Sequence, residues 1–246
     1  MFVKIGHASQ NELGKVSGGA KGDNNGKEVC IRTWYSRGWT LMLRPKNASL
    51  AEKSARACED GCRNDNIGYS QTNRNTLHAE AKRVGYDLAK ITTPCETDCS
   101  AFMTICAIAG GAKNLEYAFN APTTSTMVSA FTRTGCYTAY KDSKYLVTDA
   151  YLRRGDILVA EGRHTVMVLS NGSNAEYSAP RILRKGSRGA DVKALQAALN
   201  ATGLYAIDVD GDFGSLTEAA VKDYQQRNGL EVDGLVGSYT RKMLGL

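Results

Sequence analysis

The chain has 246 residues, 42% hydrophobic and 23% charged, which is enough for one large domain or two modest ones and too apolar for wholesale disorder. Its longest strongly apolar run, residues 101–109, is too short to span a bilayer, so no membrane insertion is expected; the N-terminal MFVKIGHASQ lacks the pattern of a secretory signal. Nearly all of the net charge of +6 lies before residue 181; it suits an anionic polymer, and no basic stripe interleaved with aromatics points to nucleic acid.

All seven cysteines precede residue 137. An odd number scattered through a chain without a signal is expected to remain as thiols made in a cytoplasm. Cys58 and Cys62, four apart on an Ala-rich segment, read as buried small residues in preference to half of a metal site. The first 26 residues are irregular and rich in Gly and Asn; residues 28–35 then alternate as a strand. Pro45-Lys46-Asn47-Ala48-Ser49 opens a helix to about residue 64, and residues 70–84 read as a second, closed by Gly85. A third runs from near Cys99 to Gly110-Gly111. From Gly155 onward the pattern turns to strands, over 156–160, 164–170 and 174–178. Helices followed by a short antiparallel sheet predict an α+β domain over residues 1–178.

Two positions in that domain carry chemistry. Cys99 stands at the first turn of an apolar helix, in Thr97-Asp98-Cys99-Ser100-Ala101-Phe102, where the helix dipole and free backbone N–H groups favour a thiolate. Nucleophilic catalysis also needs a base within reach. Of three histidines, His78 falls mid-helix among polar residues as a solvated group, and His7 cannot be placed from its surroundings. His164 opens a strand after Glu161-Gly162-Arg163, where a ring can project toward a helix terminus. Strand alternation puts Asn174 and Glu176 on one face of the next strand, either able to orient the imidazole. Cys95 lies in a loop four residues before Cys99, and Cys106 and Cys136 read as core.

Asp98-Cys99-Ser100-Ala101-Phe102, Gly155-Asp156-Ile157, His164 and Glu176 together resemble the signature of NlpC-type and CHAP-type papain-like hydrolases of bacterial walls, over about residues 68–178. The resemblance implies helices packed on a short antiparallel sheet, with Cys99 as nucleophile, His164 as base, and Glu176 or Asn174 holding the ring. Tyr86, thirteen residues before the cysteine, matches an aromatic that these families place beside the site, with Asp98 and Ser100 adjoining it. Arg163 replaces the usual glycine before the histidine. Residues 1–67 do not match the core pattern; Trp34, Tyr35 and Trp39 there line a groove for a peptide or belong to the core.

Past Ser178-Ala179-Pro180 the texture changes. Asp210-Gly211-Asp212-Phe213-Gly214-Ser215-Leu216-Thr217 recurs as Asp233-Gly234-Leu235-Val236-Gly237-Ser238-Tyr239-Thr240, each a glycine-rich turn leading into an amphipathic stretch. With a further helix over 191–201, this predicts a small three-helix domain at residues 182–246. Leu183-Arg184-Lys185-Gly186, Leu195-Gln196, the two Asp-Gly turns, Ala220-Val221 and Tyr224-Gln225 resemble the peptidoglycan-binding domain found at the ends of many cell-wall hydrolases. That resemblance implies wall contacts by side chains near the turns, with Asp212, Phe213, Tyr224 and Tyr239 the candidates.

The two resemblances together imply an endolysin-like enzyme that hydrolyses an amide of the wall peptide. Its partner would be bacterial peptidoglycan, with no metal or organic cofactor. An endopeptidase is the first expectation; an N-acetylmuramoyl-L-alanine amidase, or a non-catalytic wall-binding protein, are the alternatives. Synthesis in the host cytoplasm without a signal, followed by release through a holin made by a bacteriophage, would bring it to the wall.

Overall fold

The computed structural model describes residues 2–112, 114–115, 120–175 and 182–246, with the side chains of Ser238, Tyr239 and Lys242 outside that description. The chain divides into two compact units, Met1–Glu176 and Tyr177–Leu246.

The first unit is built on a six-stranded antiparallel sheet in the order β2-β1-β8-β7-β3-β6. Its strands are β1 (Lys4–Ala8), β2 (Val29–Thr33), β3 (Leu41–Pro45), β6 (Tyr137–Tyr140), β7 (Ile157–Ala160) and β8 (His164–Val168). Residues 1–67, which show no core pattern in sequence, thus supply three of the six strands. β1 pairs with β8 through Gly6↔Met167, and β3 bridges β7 and β6. A sheet follows the helices in sequence, as expected, but it is completed by strands that precede them.

Both faces of the sheet are buried, which explains why its central strands are continuous apolar runs. Leu41, Leu43, Ile157, Val159 and Met167 face α1 (Ala48–Cys62) and α3 (Cys99–Ala109). Val3, Ile5, Met42, Leu158, Val166 and Val168 form the opposite core, covered by Trp34, Tyr35 and Trp39 from the segment between β2 and β3. α1 starts where Asn47 accepts the backbone N–H of Leu50 at 2.7 Å. It lies close to its neighbours because its apposed positions are small. A Cβ on Gly61 would stand 2.6 Å from the Phe102 ring, and one on Gly6 of β1 would stand 2.4 Å from Cys58 Sγ. α3 is buried on nearly every side, as its uniformly apolar sequence requires.

The second expected helix is shorter than its sequence pattern. Residues Ile67–Tyr69 form β4, paired in parallel with β5 (Cys95–Thr97), and only Thr76–Arg83 is helical, as α2. Ser70 is drawn out of the helix by its backbone bond to Thr97, which continues the β4–β5 ladder. α4 (Met127–Arg133) leads into β6.

The second unit consists of α5 (Ala190–Ala201), α6 (Ser215–Arg227) and α7 (Ser238–Leu244) around a core of Leu183, Val192, Leu195, Leu199, Phe213, Val221 and Val236. Its repeated turns are stapled in the same way. Gln196 accepts the Gly211 N–H at 2.9 Å and donates to Asp210, to the Asp212 carbonyl and to Thr217. Gln225 repeats the set with Gly234, Asp233, the Leu235 carbonyl and Thr240. A buried glutamine therefore fixes each Asp-Gly turn through all of its polar atoms, and the Leu195-Gln196 and Tyr224-Gln225 pairs were its sequence signal.

Candidate active site

β5 runs directly into Asp98, whose carboxylate accepts the Ala101 N–H at 2.7 Å and the Ser100 hydroxyl at 3.0 Å. That cap starts α3 at Cys99. Arg74 clamps the same point: its Nε reaches Asp98 Oδ2 at 2.5 Å and its Nη2 reaches Ser100 Oγ at 2.8 Å, while further N–H groups hold the carbonyls of Ala121 and Pro122. Asp98 and Ser100, expected beside the substrate, are therefore engaged in holding the helix start. Arg74 had no distinguishing signal in sequence, since only the fold brings it to α3.

Cys99 is buried, and the backbone N–H groups of Thr165 and Ser100 face its sulfur. Burial, and after it the charge of Asp98, nonetheless push the thiol up to about 12. The thiolate expected from position alone is not the resting form, because loss of solvation outweighs the helix start.

His164 opens β8 opposite Ala160. It adjoins Thr165, whose amide faces Cys99, so the helix start and the strand start meet here. Its Nε2 lies 3.1 Å from the Tyr35 hydroxyl, which in turn lies 3.3 Å from Nδ1 of His7. Trp39 stacks on the His164 ring at 6.2 Å between centroids, and its indole N–H holds the Tyr35 carbonyl at 3.0 Å. Burial, then the charge of Arg37, push His164 down to about 4; burial, then His164, push His7 down to about 3. Both rings are neutral at neutral pH. Among the described residues no hydrogen bond joins Cys99 to His164. Burial thus favours the neutral form of both the Cys99 thiol and the His164 imidazole.

Of the two residues expected to orient His164, only Asn174 is described. Glu176 lies outside the described residues. Asn174 is exposed in a turn past the far end of β8, its backbone N–H on the Ala150 carbonyl, and does not approach the ring at the strand's start. Of the strand expected over 174–178, residue 174 lies in that turn and residues 176–178 lie outside the described residues. Among the described residues the Tyr35 hydroxyl bonds the His164 ring, with His7 behind it; His7 could not be found from sequence because only the β1–β8 register brings it there. Trp34 packs on the core behind the sheet. Tyr86 is elsewhere: its hydroxyl meets Nε2 of His78 at 3.2 Å, and it lines a hollow with Ala109 at the other end of α3, about 15 Å of helix from Cys99. His78 is accordingly half-buried, not solvated.

In the second unit, Phe213 and Tyr224 are core residues, the Tyr224 hydroxyl donating to the Met243 carbonyl at 2.8 Å. Neither presents a surface to a polymer, because each anchors the turn or helix beside it. Asp212 is half-exposed and pairs with Arg188 at 2.9 Å. The Tyr239 side chain lies outside the described residues. Among the described residues no group of three or more His, Cys, Asp or Glu is arranged to hold a metal ion.

A mixed α/β unit with a thiol and an imidazole at adjoining element starts, followed by a helical unit of repeated turns, defines a modular two-unit chain. Residues 5–175 match the endolysin-like domain and residues 188–244 match the putative peptidoglycan binding domain. The chain belongs to the endolysin-like domain family. It is 41% identical over 71 residues to a spore cortex-lytic enzyme of Bacillus cereus, covering 29% of this chain and 27% of that protein. It is 38% identical over 117 residues to a probable N-acetylmuramoyl-L-alanine amidase of Bacillus licheniformis, covering 46% and 32%. This chain therefore spans less than a third of the length of these curated relatives. Among solved structures, the Burkholderia AP3 phage endolysin is 44% identical over 26% of this chain and 24% of that one, with a TM-score of 0.25.

Proposed function

We propose that this chain is a peptidoglycan hydrolase that cuts an amide with Cys99 as nucleophile and His164 as general base. The observation that supports the reading is the junction at Thr165, whose backbone N–H, next in sequence to His164, faces the Cys99 sulfur at the capped start of α3. A thiol held near 12 attacks only if its proton is removed as the sulfur–carbon bond forms. A neutral His164 is the group able to take it, through Nδ1, the ring nitrogen that no described residue engages. The imidazolium then returns that proton to the leaving amine. Water, deprotonated by the same ring, splits the thioester and frees the acid. In this reading the Ser100 N–H at the helix start, which faces the Cys99 sulfur at rest, turns to the oxyanion.

Endolysin-like and peptidoglycan-binding matches support the wall as the substrate. For the bond, the amidase among the relatives supports the N-acetylmuramoyl-L-alanine linkage ahead of a cross-bridge endopeptidase cut. The papain-like assignment of the first unit, and delivery by a holin, belong to this proposal too.

The test is clearing of purified walls by the wild type and by Cys99→Ala, with amino groups in the products identified. Clearing lost in the variant, while wall binding persists, is the expected result. New free amino groups on L-alanine would assign the amidase reaction; on a diamino acid they would assign the endopeptidase. Equal clearing by both proteins would remove Cys99 from the mechanism.

A further inference from the structure

Of the residues first expected to touch the wall, Phe213 and Tyr224 are core and Asp212 is ion-paired, which leaves the binding surface formed by the described residues of the second unit unassigned. Its exposed apolar side chains offer a better guide. Leu216 and Leu204 are 76% and 57% exposed, and together they rim a hollow of about 410 Å³ also lined by Tyr205, Ile207, Ala219 and Asp223. The hollow exists because α6 presents Leu216, Ala219, Ala220 and Asp223 on one stripe, and the two alanines leave a depression between a leucine and a carboxylate. The loop after α5 forms the opposite wall.

The polar group in it is half-engaged. Asp223 Oδ2 accepts the Tyr205 hydroxyl at 2.9 Å and the Arg227 Nε–H at 2.7 Å. Its Oδ1 takes no hydrogen bond from the described residues, and the hollow is lined by no cation. A ring fixed by its own hydroxyl bond, two aliphatic side chains and one open acceptor suit a ligand with apolar patches and N–H or O–H donors but no free carboxylate.

We infer that this hollow is the wall-binding subsite, and that it takes the N-acetylated amino-sugar strand of peptidoglycan. Acetamido methyl groups and the C–H face of a sugar ring cover Leu204, Leu216 and Tyr205, and a sugar hydroxyl or amide N–H donates to Asp223 Oδ1. An anionic stem peptide would bring its carboxylates to an acceptor. The inference rests on peptidoglycan being the substrate, as proposed above.

The experiment uses the full chain. Sedimentation with purified walls compares the wild type, the Leu204→Ser/Leu216→Ser double variant and Ala219→Trp, which fills the hollow without removing a contact. A soluble N-acetylglucosamine tetramer and free stem peptide serve as competitors, and cleavage of a soluble muropeptide serves as the activity control. Wall affinity is expected to fall roughly tenfold or more in both variants, with muropeptide cleavage unchanged and the tetramer competing. Unchanged wall affinity, or competition by the peptide and not the tetramer, would overturn the inference. So would a change in solution mass, or in melting of the first unit, with wall binding intact, since that assigns the hollow to a second copy or to the rest of this chain. Wall binding by a wild type that cleaves nothing would sink the hydrolase reading and leave this subsite standing.

Discussion

At the residue scale, the site depends on how burial sets protonation. His164 is held near 4 by loss of solvation, so it remains a base across the acid range where an ordinary imidazole would be charged. The acid limb of the wall-clearing rate should therefore fall near pH 4 and not near 6.5, as a pH profile on purified walls will show. Tyr35 is a positioning residue, since it touches His164 and no reacting atom. Tyr35→Phe removes the bond to Nε2 and should lower kcat roughly tenfold. The same change should move the acid limb of the pH profile, whereas a merely structural loss would leave that limb in place.

At the element scale, α3 starts at Cys99 because Asp98 caps it and Arg74 holds the cap. Asp98→Ala removes the cap and leaves the Arg74 guanidinium, itself largely buried, without its partner. A loss of about 2–4 kcal/mol is expected, read by urea unfolding of the variant. In the second unit, Gln196 and Gln225 each close a turn with four hydrogen bonds. Gln196→Ala leaves the Gly211 N–H unsatisfied in the core and should cost about 2–3 kcal/mol, read as a lower Tm for that unit's transition by calorimetry. Equal stability to the wild type would show that water replaces the glutamine.

For the whole molecule, buried titratable groups make stability depend on pH from both sides. The unfolded chain binds protons at His164 and His7 near 6.5, but the folded chain does so only near 4 and 3. Folded stability from these rings is complete above pH 6.5 and is lost as the pH falls toward 4 and 3. The thiols act in the opposite sense. Cys99 and Cys95 are raised to about 12, and Cys58, Cys62 and Cys106 are also raised, so ionisation above 9 favours the unfolded chain. Tm plotted against pH should form a dome, falling below about 6.5 and again above about 9. A flat profile through pH 4 would show that the two imidazoles are solvated. The bipartite layout predicts a second behaviour: removing residues 182–246 should lower clearing of intact walls far more than cleavage of soluble muropeptide, because a binding unit acts by raising local concentration.

Much of this molecule was legible in one dimension because its signals are local. The helix opening at Pro45-Lys46-Asn47, the apolar run of α3, the hairpin entered at His164 and the duplicated Asp-Gly turns each lie within a few residues of what they specify. What only the tertiary structure decided depends on contacts distant in sequence. β1 was invisible as an element of the candidate site because His7 reaches Tyr35 and His164 by register with β8, across more than 150 residues. The shortening of the second helix follows from a ladder with β5, and the placing of Tyr86 far from Cys99 follows from the length of α3. Phe213 and Tyr224 look like contact residues beside a turn, yet the core of a small unit claims its largest side chains first. Protonation was settled last of all: position at a helix start favours a thiolate, but how deeply the surrounding elements bury Cys99 decides the balance, and burial is a property of the assembled fold.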